Sequence, residues 1–342
     1  MSMTGRRHIA FVTEGGPTVG LGHVSRCLAL ASAVAGARLS FLVNEDAQVA
    51  LLLRRVAGEV TELPWPVDPA RALRALDGLA PEVIVVDSYA ASSELLASFR
   101  ALAPVVAVDD MADRRLPVDV VVNGGAGAER LRYERTPGTR FLLGPRYALL
   151  DPRYAGPPER VPTGQVGRVL ICLGGGRQVD TTLAALSAVD QVFTDCVVDV
   201  VAGVFSGNSP ALDAAARGAR NRVLIHRDGF GLRALMLGAD VAVSGAGVTL
   251  CELCATATPS VAVCMADNQR ANVEAFAEAG AALAAGAAED PHLAEAVASA
   301  LARLANDVAL RASTGARGRA LVDGRGASRL ARAIMEPVKL GR

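Results

Sequence analysis

The sequence has no apolar run long enough to cross a membrane. Its longest uncharged apolar stretches, such as residues 281–288, fall far short of the roughly 18 residues that a membrane-spanning helix needs. The first residues, MSMTGRRHIAF, also lack the apolar core of a secretory signal peptide. These absences predict a protein without a membrane span, which we expect in the cytoplasm.

The sequence also lacks an excess of either charge. Its 35 lysine and arginine residues equal its 35 aspartate and glutamate residues. No net field favours nucleic acid, so a small molecule is the expected partner. Nothing in the sequence determines the oligomeric state.

Three motifs for metals and cofactors are missing. The single CxxC, Cys251 with Cys254, has no second pair or histidines at zinc-ligand spacing, so the cysteines are expected to pack in the core. GLGHVS lacks the third glycine of a dinucleotide fingerprint, and GGGRQVD lacks the lysine of a P-loop. The aspartates at 87, 109, 110 and 113 form no DxD triplet and leave a metal site as a minor alternative. We therefore expect no metal and no cofactor.

The sequence does contain a repeated alternation of short β-branched runs and longer Ala/Leu segments. This alternation is typical of parallel strands joined by crossover helices. The first half offers HIAFVTEG, RLSFLVN, EVIVVDS, PVVAVDD and VDVVVNG. The second half offers GRVLICLGGG, DCVVDVVAG, NRVLIHRDG, DVAVSGAG and PSVAVCMA. The stretch between the halves is rich in proline and glycine, which indicates a linker.

The predicted architecture is an α/β protein of two Rossmann-like domains with a cleft between them. We expect an N-terminal domain over residues 1–150, a linker over 151–166, a C-terminal domain over 167–325 and a closing helix over 326–342. In such proteins, ligands bind at the carboxyl ends of the strands.

The segment GGPTVGLGHVSR places a histidine where the first strand gives way to a helix. Gly20 and Gly22 permit a sharp turn and close approach of a ligand, and the start of the helix favours anions. The same positive helix end disfavours imidazolium, so His23 is a candidate general base; an exposed or capping histidine is the equal alternative. Arg26, on the same helix face, could meet a phosphate or a carboxylate, or pair with a nearby acid such as Glu14.

A second glycine-rich turn, SGAGVTLCEL, follows the strand DVAV, and VLICL is followed by Gly174 and Gly175. Small and hydroxyl-bearing residues crowd the start of the helix here: Ser244, Gly245, Gly247 and Thr249. Free N–H groups together with the hydroxyls at that position would hold a pyrophosphate without a metal. Glu252, at i+3 from Thr249, could accept hydrogen bonds from a ribose; a helix cap with an ordinary surface glutamate is the alternative.

Eight segments occur in order along the chain: GHVSR, VVDSYA, VDDMADR, DVVVN, LGPRYALLDPRY, CLGGG, VSGAGVTLCEL and VDGRGASRL. Together they resemble the nucleotide-sugar hydrolases of pseudaminic acid biosynthesis, which cleave UDP-2,4-diacetamido-2,4,6-trideoxy-β-L-altrose, and their relatives in spore-coat polysaccharide synthesis. The resemblance spans nearly the whole chain. That family is similar in turn to the glycosyltransferase that makes lipid II, which implies the GT-B fold with UDP on the C-terminal half.

The resemblance implies roles for individual residues. His23 matches the family's catalytic histidine, which activates water, and Glu252 matches the acid that contacts the nucleoside. The pyrophosphate cradle matches Ser244, Gly245, Ala246, Gly247, Val248 and Thr249. A polar pair that reaches the sugar matches Asn268 and Gln269. Asp87, Tyr89 and Asp110 match residues that line the N-terminal side of the cleft. Next to the aspartate that corresponds to Asp87, some members of the family carry a histidine where this chain has Ser88.

The sequence therefore predicts a metal-independent inverting hydrolase. It would release UDP and free sugar from a UDP-linked acetamido deoxysugar, in nonulosonic acid or surface polysaccharide biosynthesis. Two alternatives stay open: an inverting UDP-sugar-dependent glycosyltransferase of the same fold, and a non-enzymatic nucleotide-sugar sensor, against which the intact GxGH motif argues. The sequence specifies neither the sugar nor the choice between UDP and CMP.

Overall fold

A computed structural model gives the fold of the chain. It describes residues 6–56, 58–156, 164–175, 178–203, 205, 209–227 and 231–336. The chain divides into two compact units, the first formed by residues 1–152 with 325–342 and the second by residues 153–324. The middle of the expected linker, residues 157–163, and the end of the expected closing helix, residues 337–342, lie outside the described residues.

Within the described residues, the first unit contains a seven-stranded parallel sheet. Its strands are β1 (His8–Thr13), β2 (Arg38–Val43), β3 (Glu59–Glu62), β4 (Val83–Asp87), β5 (Val105–Val108), β6 (Val120–Asn123) and β7 (Arg140–Leu143). Their spatial order is β3-β2-β1-β4-β5-β6-β7. The helices that connect them are α1 (Gly22–Ala33), α2 (Ala47–Val56), α3 (Pro69–Leu79) and α4 (Ser93–Leu102).

The central strands of this sheet are buried along their whole length. β1, β4 and β5 are apolar on both faces because helices cover both sides of a doubly wound sheet. α4 buries Leu95, Leu96 and Phe99, and Ser92 caps its N-terminus by accepting from the Leu95 N–H at 3.2 Å. These side chains anchor the helix that follows β4.

The strand order reverses between β1 and β4. The chain runs outward from β1 to β3 and then returns to pair β4 against β1, with Thr13 opposite Asp87 at their carboxyl ends. Connections that leave in opposite directions open a crevice at such a point, and ligands of α/β proteins bind there.

The part of the second unit that is described contains a six-stranded parallel sheet. Its strands are β8 (Arg168–Cys172), β9 (Val197–Val201), β10 (Arg222–His226), β11 (Val241–Gly245), β12 (Ser260–Cys264) and β13 (Leu283–Ala287), in the order β10-β9-β8-β11-β12-β13. Its helices are α5 (Val179–Val192), α6 (Pro210–Gly218), α7 (Leu232–Gly238), α8 (Val248–Ala255), α9 (Arg270–Glu278), α10 (Leu293–Asn306) and α11 (Val308–Leu321). The order reverses between β8 and β11, where Cys172 pairs with Ser244.

The two parallel α/β sheets confirm the predicted fold class. The final helix, α12 (Gly326–Met335), returns to the first unit, where it packs against α1. Arg7 secures the end of α12 by donating to the Met335 carbonyl at 3.0 Å. Among the helices of the described residues, none combines the length and apolar character that crossing a bilayer demands.

Candidate functional site

His23 lies in the first turn of α1, at the carboxyl edge of the first sheet. The turn before it is closed by paired main-chain hydrogen bonds between Gly16 and Gly20, of 3.1 and 2.7 Å, and Gly20 adopts a φ of 79°. Gly22 begins the helix, and no neighbouring atom lies within 4 Å of where a Cβ would project. The main chain beside His23 is therefore open to a ligand.

The imidazole of His23 points at Asp87, the last residue of β4. Its Nδ1 lies 2.5 Å from Oδ1 of Asp87, and only 4% of the His23 side chain is exposed. Because a carboxylate only accepts hydrogen bonds, Nδ1 donates to Asp87, and in the neutral form of the ring Nε2 is then the nitrogen with the lone pair. This is the tautomer that a general base needs.

Arg26 lies between two carboxylates, and neither of them belongs to Glu14. Its Nε donates to Oδ2 of Asp87 at 2.8 Å, its Nη2 to Oδ1 of Asp87 at 2.7 Å, and its Nη1 to Oδ2 of Asp110 at 3.0 Å. Nη2 also lies 2.8 Å from Nδ1 of His23, which is a close contact because that nitrogen already donates to Asp87. The guanidinium thus pairs with Asp87 and Asp110, and a contact between Arg26 and a phosphate stays a prediction.

The charge state of Asp87 follows from these neighbours. Burial alone would raise the pKa of Asp87, but the charges and hydrogen bonds of Arg26 and His23 outweigh burial and lower the pKa below its ordinary value. Asp87 is therefore an ionised carboxylate beneath His23. It can hold the imidazole in one tautomer and stabilise the imidazolium that forms when Nε2 takes a proton.

Tyr89 covers the other side of His23. The two rings meet edge to face with centroids 4.4 Å apart. Burial and the negative charge of Asp110 raise the pKa of Tyr89, so its hydroxyl stays protonated. Since 41% of Tyr89 is exposed, its outer side remains available to a ligand. The structure thus brings together the five predicted side chains of the first unit: His23, Arg26, Asp87, Tyr89 and Asp110.

The neighbouring aspartates have structural partners. Oδ2 of Asp109 accepts from the N–H groups of Met111, at 3.1 Å, and Ala112, at 2.8 Å, and Asp113 pairs with Arg114 at 2.8 Å. Within the described part of the chain, no group of three His, Cys, Asp or Glu side chains is placed to hold a metal ion. These aspartates shape the loop after β5.

In the second unit, the turns after β8, β9 and β11 pack against one another through glycine. A Cβ on Gly245 would lie 2.7 Å from the Leu173 carbonyl oxygen, and one on Gly203 would lie 3.0 Å from the Gly174 carbonyl oxygen. Gly174 itself has a φ of 113° and leads into Gly175. The predicted glycines therefore allow three turns to converge at the switch point.

Two residues of the expected pyrophosphate cradle face the protein interior. Ser244 is fully buried and its hydroxyl donates to the Gly245 carbonyl at 2.9 Å, so a role of this hydroxyl in phosphate binding stays a prediction. The Ala246 N–H donates to Gln269 Oε1 at 3.0 Å. What remains open is the start of α8 after Gly247, where the N–H groups of Val248 and Thr249 have no acceptor inside the helix.

Gln269 supports this loop from a short 3₁₀ turn, Asp267–Gln269, that also holds Asn268. Its Oε1 accepts from the N–H of Ala246 and, at 3.2 Å, from that of Met265. The side-chain carbonyl of Gln269 is therefore occupied within the loop, and a contact between this residue and a sugar stays a prediction. Its Nε2 lies beside Gly247.

Glu252 lies one turn into α8 and is partly buried. Burial and the nearby charge of Glu252 raise the pKa of Cys172 to about 12, and the Thr249 side chain hydrogen-bonds to that cysteine. Glu252 and Thr249 therefore lie near Cys172, at the end of β8. All six cysteines are buried and none of them forms a disulfide bond, which fits packing in the core.

Two doubly wound units, each with glycine-lined turns at its switch point, define the GT-B fold, and comparisons with known proteins agree. No protein-family model matches the chain. Over 332 residues the chain is 27% identical to the spore coat polysaccharide biosynthesis protein SpsG of Bacillus subtilis, and the match covers 94% of this chain and 96% of SpsG.

Solved structures show the same fold. MurG of Acinetobacter baumannii matches with a TM-score of 0.70 and 16% identity, covering 96% of this chain and 99% of MurG. The calicheamicin glycosyltransferase CalG4 matches with a TM-score of 0.63 and 17% identity, over 97% and 98% of the two chains. The S. aureus MnaA structure with UDP matches with a TM-score of 0.63 and 11% identity, over 96% of each chain. The predicted GT-B fold is thereby confirmed.

Proposed function

We propose that this protein transfers a sugar from a UDP-linked donor to a hydroxyl group with inversion at the anomeric carbon. The hydrogen bond from His23 Nδ1 to Asp87, at 2.5 Å, carries the proposal because it leaves Nε2 as the base. Similarity to a glycosyltransferase and to a UDP-bound protein supports a nucleotide sugar as donor. Similarity to SpsG supports a role in polysaccharide synthesis.

The chemistry needs one base and one anion site. His23 Nε2 takes the proton of the attacking hydroxyl, whose oxygen forms a bond to the anomeric carbon as the bond to the UDP oxygen breaks. The bonding electrons leave with UDP, a good leaving group whose charge must be held more than it needs a proton. Asp87 stabilises the imidazolium that results.

The second unit supplies the nucleotide site in this proposal. The free N–H groups of Val248 and Thr249 at the start of α8 suit a diphosphate, and Gly245 and Gly247 keep side chains out of its way. Glu252, one turn further along, suits the hydroxyl groups of a ribose. Gly174, Gly175, Asn268 and Gln269 complete this group of proposed substrate-binding residues.

Hydrolysis is the second candidate, with water as the attacking hydroxyl. Burial of the His23 side chain and the ring of Tyr89 against it favour a small nucleophile at the base. The resemblance to the pseudaminic acid hydrolases points the same way, and the UDP-linked acetamido deoxysugar that it implies stays a prediction. Transfer ranks first because the proteins of similar structure include a glycosyltransferase.

One assay separates these candidates. The purified protein is incubated with a panel of UDP- and CMP-linked acetamido sugars, with and without hydroxyl acceptors, and the released nucleotide is quantified. Transfer predicts release that depends on acceptor together with a conjugate of the expected mass, whereas hydrolysis predicts release at the same rate in water alone. Proton NMR of the first-formed product should show inversion. Release from no member of the panel would contradict both.

A further inference from the structure

Glu14 is a buried carboxylate that the proposed mechanism does not use. It directly follows β1, and 7% of it is exposed. A single oxygen, Oε1, accepts from the Ser88 hydroxyl at 2.6 Å, from the Tyr89 N–H at 2.8 Å and from the Ala90 N–H at 3.3 Å. Three donors from one short loop therefore converge on this carboxylate.

That loop begins at Asp87. Because Thr13 pairs with Asp87 across β1 and β4, Glu14 and Ser88 both lie just beyond the paired ends of these strands. The loop's first residue, Asp87, orients His23 through Nδ1, and its third residue, Tyr89, packs edge-on against the same imidazole. A residue that holds this loop in place therefore holds His23 through both Asp87 and Tyr89.

We infer that Glu14 is a positioning residue for His23, acting through Asp87 and Tyr89; this inference rests on the proposed function. Three hydrogen bonds to one buried carboxyl oxygen restrain the loop at Ser88, Tyr89 and Ala90. A small displacement of a reacting group lowers the rate steeply, so a loop held this firmly matters to turnover. Among the described residues, the hydrogen bonds of Glu14 reach Ser88, Tyr89 and Ala90, and they do not reach the imidazole of His23.

Ser88 belongs to the same arrangement. It is buried, its hydroxyl donates to Glu14, and its oxygen accepts from the Ala90 N–H at 2.9 Å. Its side chain therefore faces the interior of the first unit. Replacement of Ser88 therefore changes the support of the loop.

The kinetic test uses the full-length protein and three variants. Glu14→Ala leaves buried donors without an acceptor, and we expect kcat for nucleotide release to fall by about 10- to 100-fold with KM for the donor unchanged within about twofold. Glu14→Gln keeps a carbonyl acceptor and should restore most of kcat. Glu59→Gln, which alters an exposed carboxylate beside Arg38, is the matched control and should match wild type.

A double-mutant cycle with His23→Asn distinguishes positioning from general loss of structure. If Glu14 acts through His23, Glu14→Ala causes little further loss of rate in the His23→Asn background. Full additivity of the two losses would overturn the inference.

A second readout needs no turnover. NMR of protein labelled with ¹⁵N-histidine resolves four imidazoles, and comparison with His23→Asn assigns the hydrogen-bonded Nδ1 proton of His23. That signal should persist in Glu14→Gln and in Glu59→Gln but shift or broaden in Glu14→Ala. An unchanged signal in Glu14→Ala contradicts a positioning role.

The proposed function and this inference fail in different ways. If His23→Asn leaves turnover intact, the proposed base is wrong. If His23→Asn abolishes turnover while Glu14→Ala behaves like Glu59→Gln, only the positioning role is wrong. If Glu14→Ala does not fold, Ser88→Ala serves in its place, because it removes one donor to Glu14. We expect Ser88→Ala to lower kcat by several-fold and to shift or broaden the NMR signal of the His23 Nδ1 proton. A Ser88→Ala protein identical to wild type in both kcat and this signal would overturn the inference.

Discussion

Nδ1 of His23 lies 2.5 Å from Oδ1 of Asp87, and this one contact determines which ring nitrogen is available as a base. Arg26 stabilises the buried Asp87, because its guanidinium offsets the negative charge of this carboxylate through two hydrogen bonds. The imidazole of His23, the guanidinium of Arg26 and the carboxyl groups of Asp87 and Asp110 thus form one connected group.

His23→Asn removes the base while keeping a polar side chain of smaller volume. We expect nucleotide release to fall by about two to four orders of magnitude, the usual effect of losing a general base, with UDP affinity unchanged. The exposed His292 offers a matched control as His292→Asn. Release kinetics and calorimetry measure the two quantities, and a loss of less than about tenfold would place the base elsewhere.

Asp87→Asn tests the tautomer. An asparagine amide can donate to Nδ1, which favours the tautomer with hydrogen on Nε2 and removes the base. We expect turnover to fall by about 1,000-fold or more while UDP binding persists. Turnover close to wild type in a folded Asp87→Asn protein would contradict the assignment.

The same substitution has a consequence for stability against pH. A carboxyl group whose pKa is lowered by folding, as that of Asp87 is, stabilises the fold above its unfolded pKa, and this contribution disappears as pH falls through the folded pKa. We expect Asp87→Asn to lower the free energy of unfolding by about 3 kcal/mol near neutral pH. The difference in the free energy of unfolding between wild type and Asp87→Asn should narrow only below the ordinary aspartate pKa of 3.8. Denaturant unfolding at several pH values measures the gap, and a constant gap across that range would contradict the linkage.

The central strands could be predicted from sequence because each is a buried apolar run flanked by turn residues. The three strands without such a prediction, β3 (EVTE), β7 (RFLL) and β13 (LAAGA), all lie at sheet edges. An edge strand pairs on one side only and buries less, so its sequence need not be apolar. The alanine-rich β13 also suits a helix by local propensity, and pairing with β12 decides its structure.

The position of the candidate site followed from sequence, but the partners of its side chains did not. The glycines and the helix starts placed His23 and the α8 loop, because turn geometry depends on neighbouring residues. Whether Arg26 meets Glu14 or Asp87 depends on the register of β1 against β4, which joins residues far apart in the chain. The inward hydroxyl of Ser244 likewise depends on how β8 and β11 pair.

Glu252→Ala tests the nucleotide site on the second unit. Loss of hydrogen bonds to a charged acceptor should weaken UDP binding by about 1.5 to 3 kcal/mol, which is about 10- to 150-fold. Glu295→Ala, at an exposed position of α10, is the control. Calorimetry of the full-length variants measures the affinities, and binding indifferent to Glu252 but lost in His23→Asn would move the nucleotide to the first unit.

Turnover should not require a divalent metal. Asp87 and Asp110 bind Arg26, Asp113 binds Arg114, and the proposed diphosphate site consists of N–H groups that need no ion. We expect nucleotide release in excess EDTA to stay within about twofold of the untreated rate. Activity abolished by EDTA and restored by magnesium or manganese would contradict this proposal.

The second unit holds an ion group that sequence analysis did not anticipate, and it predicts a stability effect unrelated to turnover. Asp199 on β9 is fully buried, and it accepts from Arg168 on β8 and from Nε2 of His226 on β10, at 2.8 Å. Arg168→Met removes the guanidinium and leaves a buried carboxylate with one partner, which should cost about 3 kcal/mol.

The double variant Arg168→Met with Asp199→Leu should recover much of the lost free energy of unfolding, because it removes the buried charge together with its partner. The residues in register with position 199, Leu170 and Leu224, are apolar and can pack against the new leucine. Arg222→Met, at an exposed position of β10, is the control and should change stability by less than about 0.5 kcal/mol. Denaturant unfolding followed by hydrogen exchange of the β9 amides measures the effect in the second unit itself. If the double variant is as unstable as Arg168→Met, or less stable, the loss comes from side-chain packing rather than from the unpaired charge of Asp199.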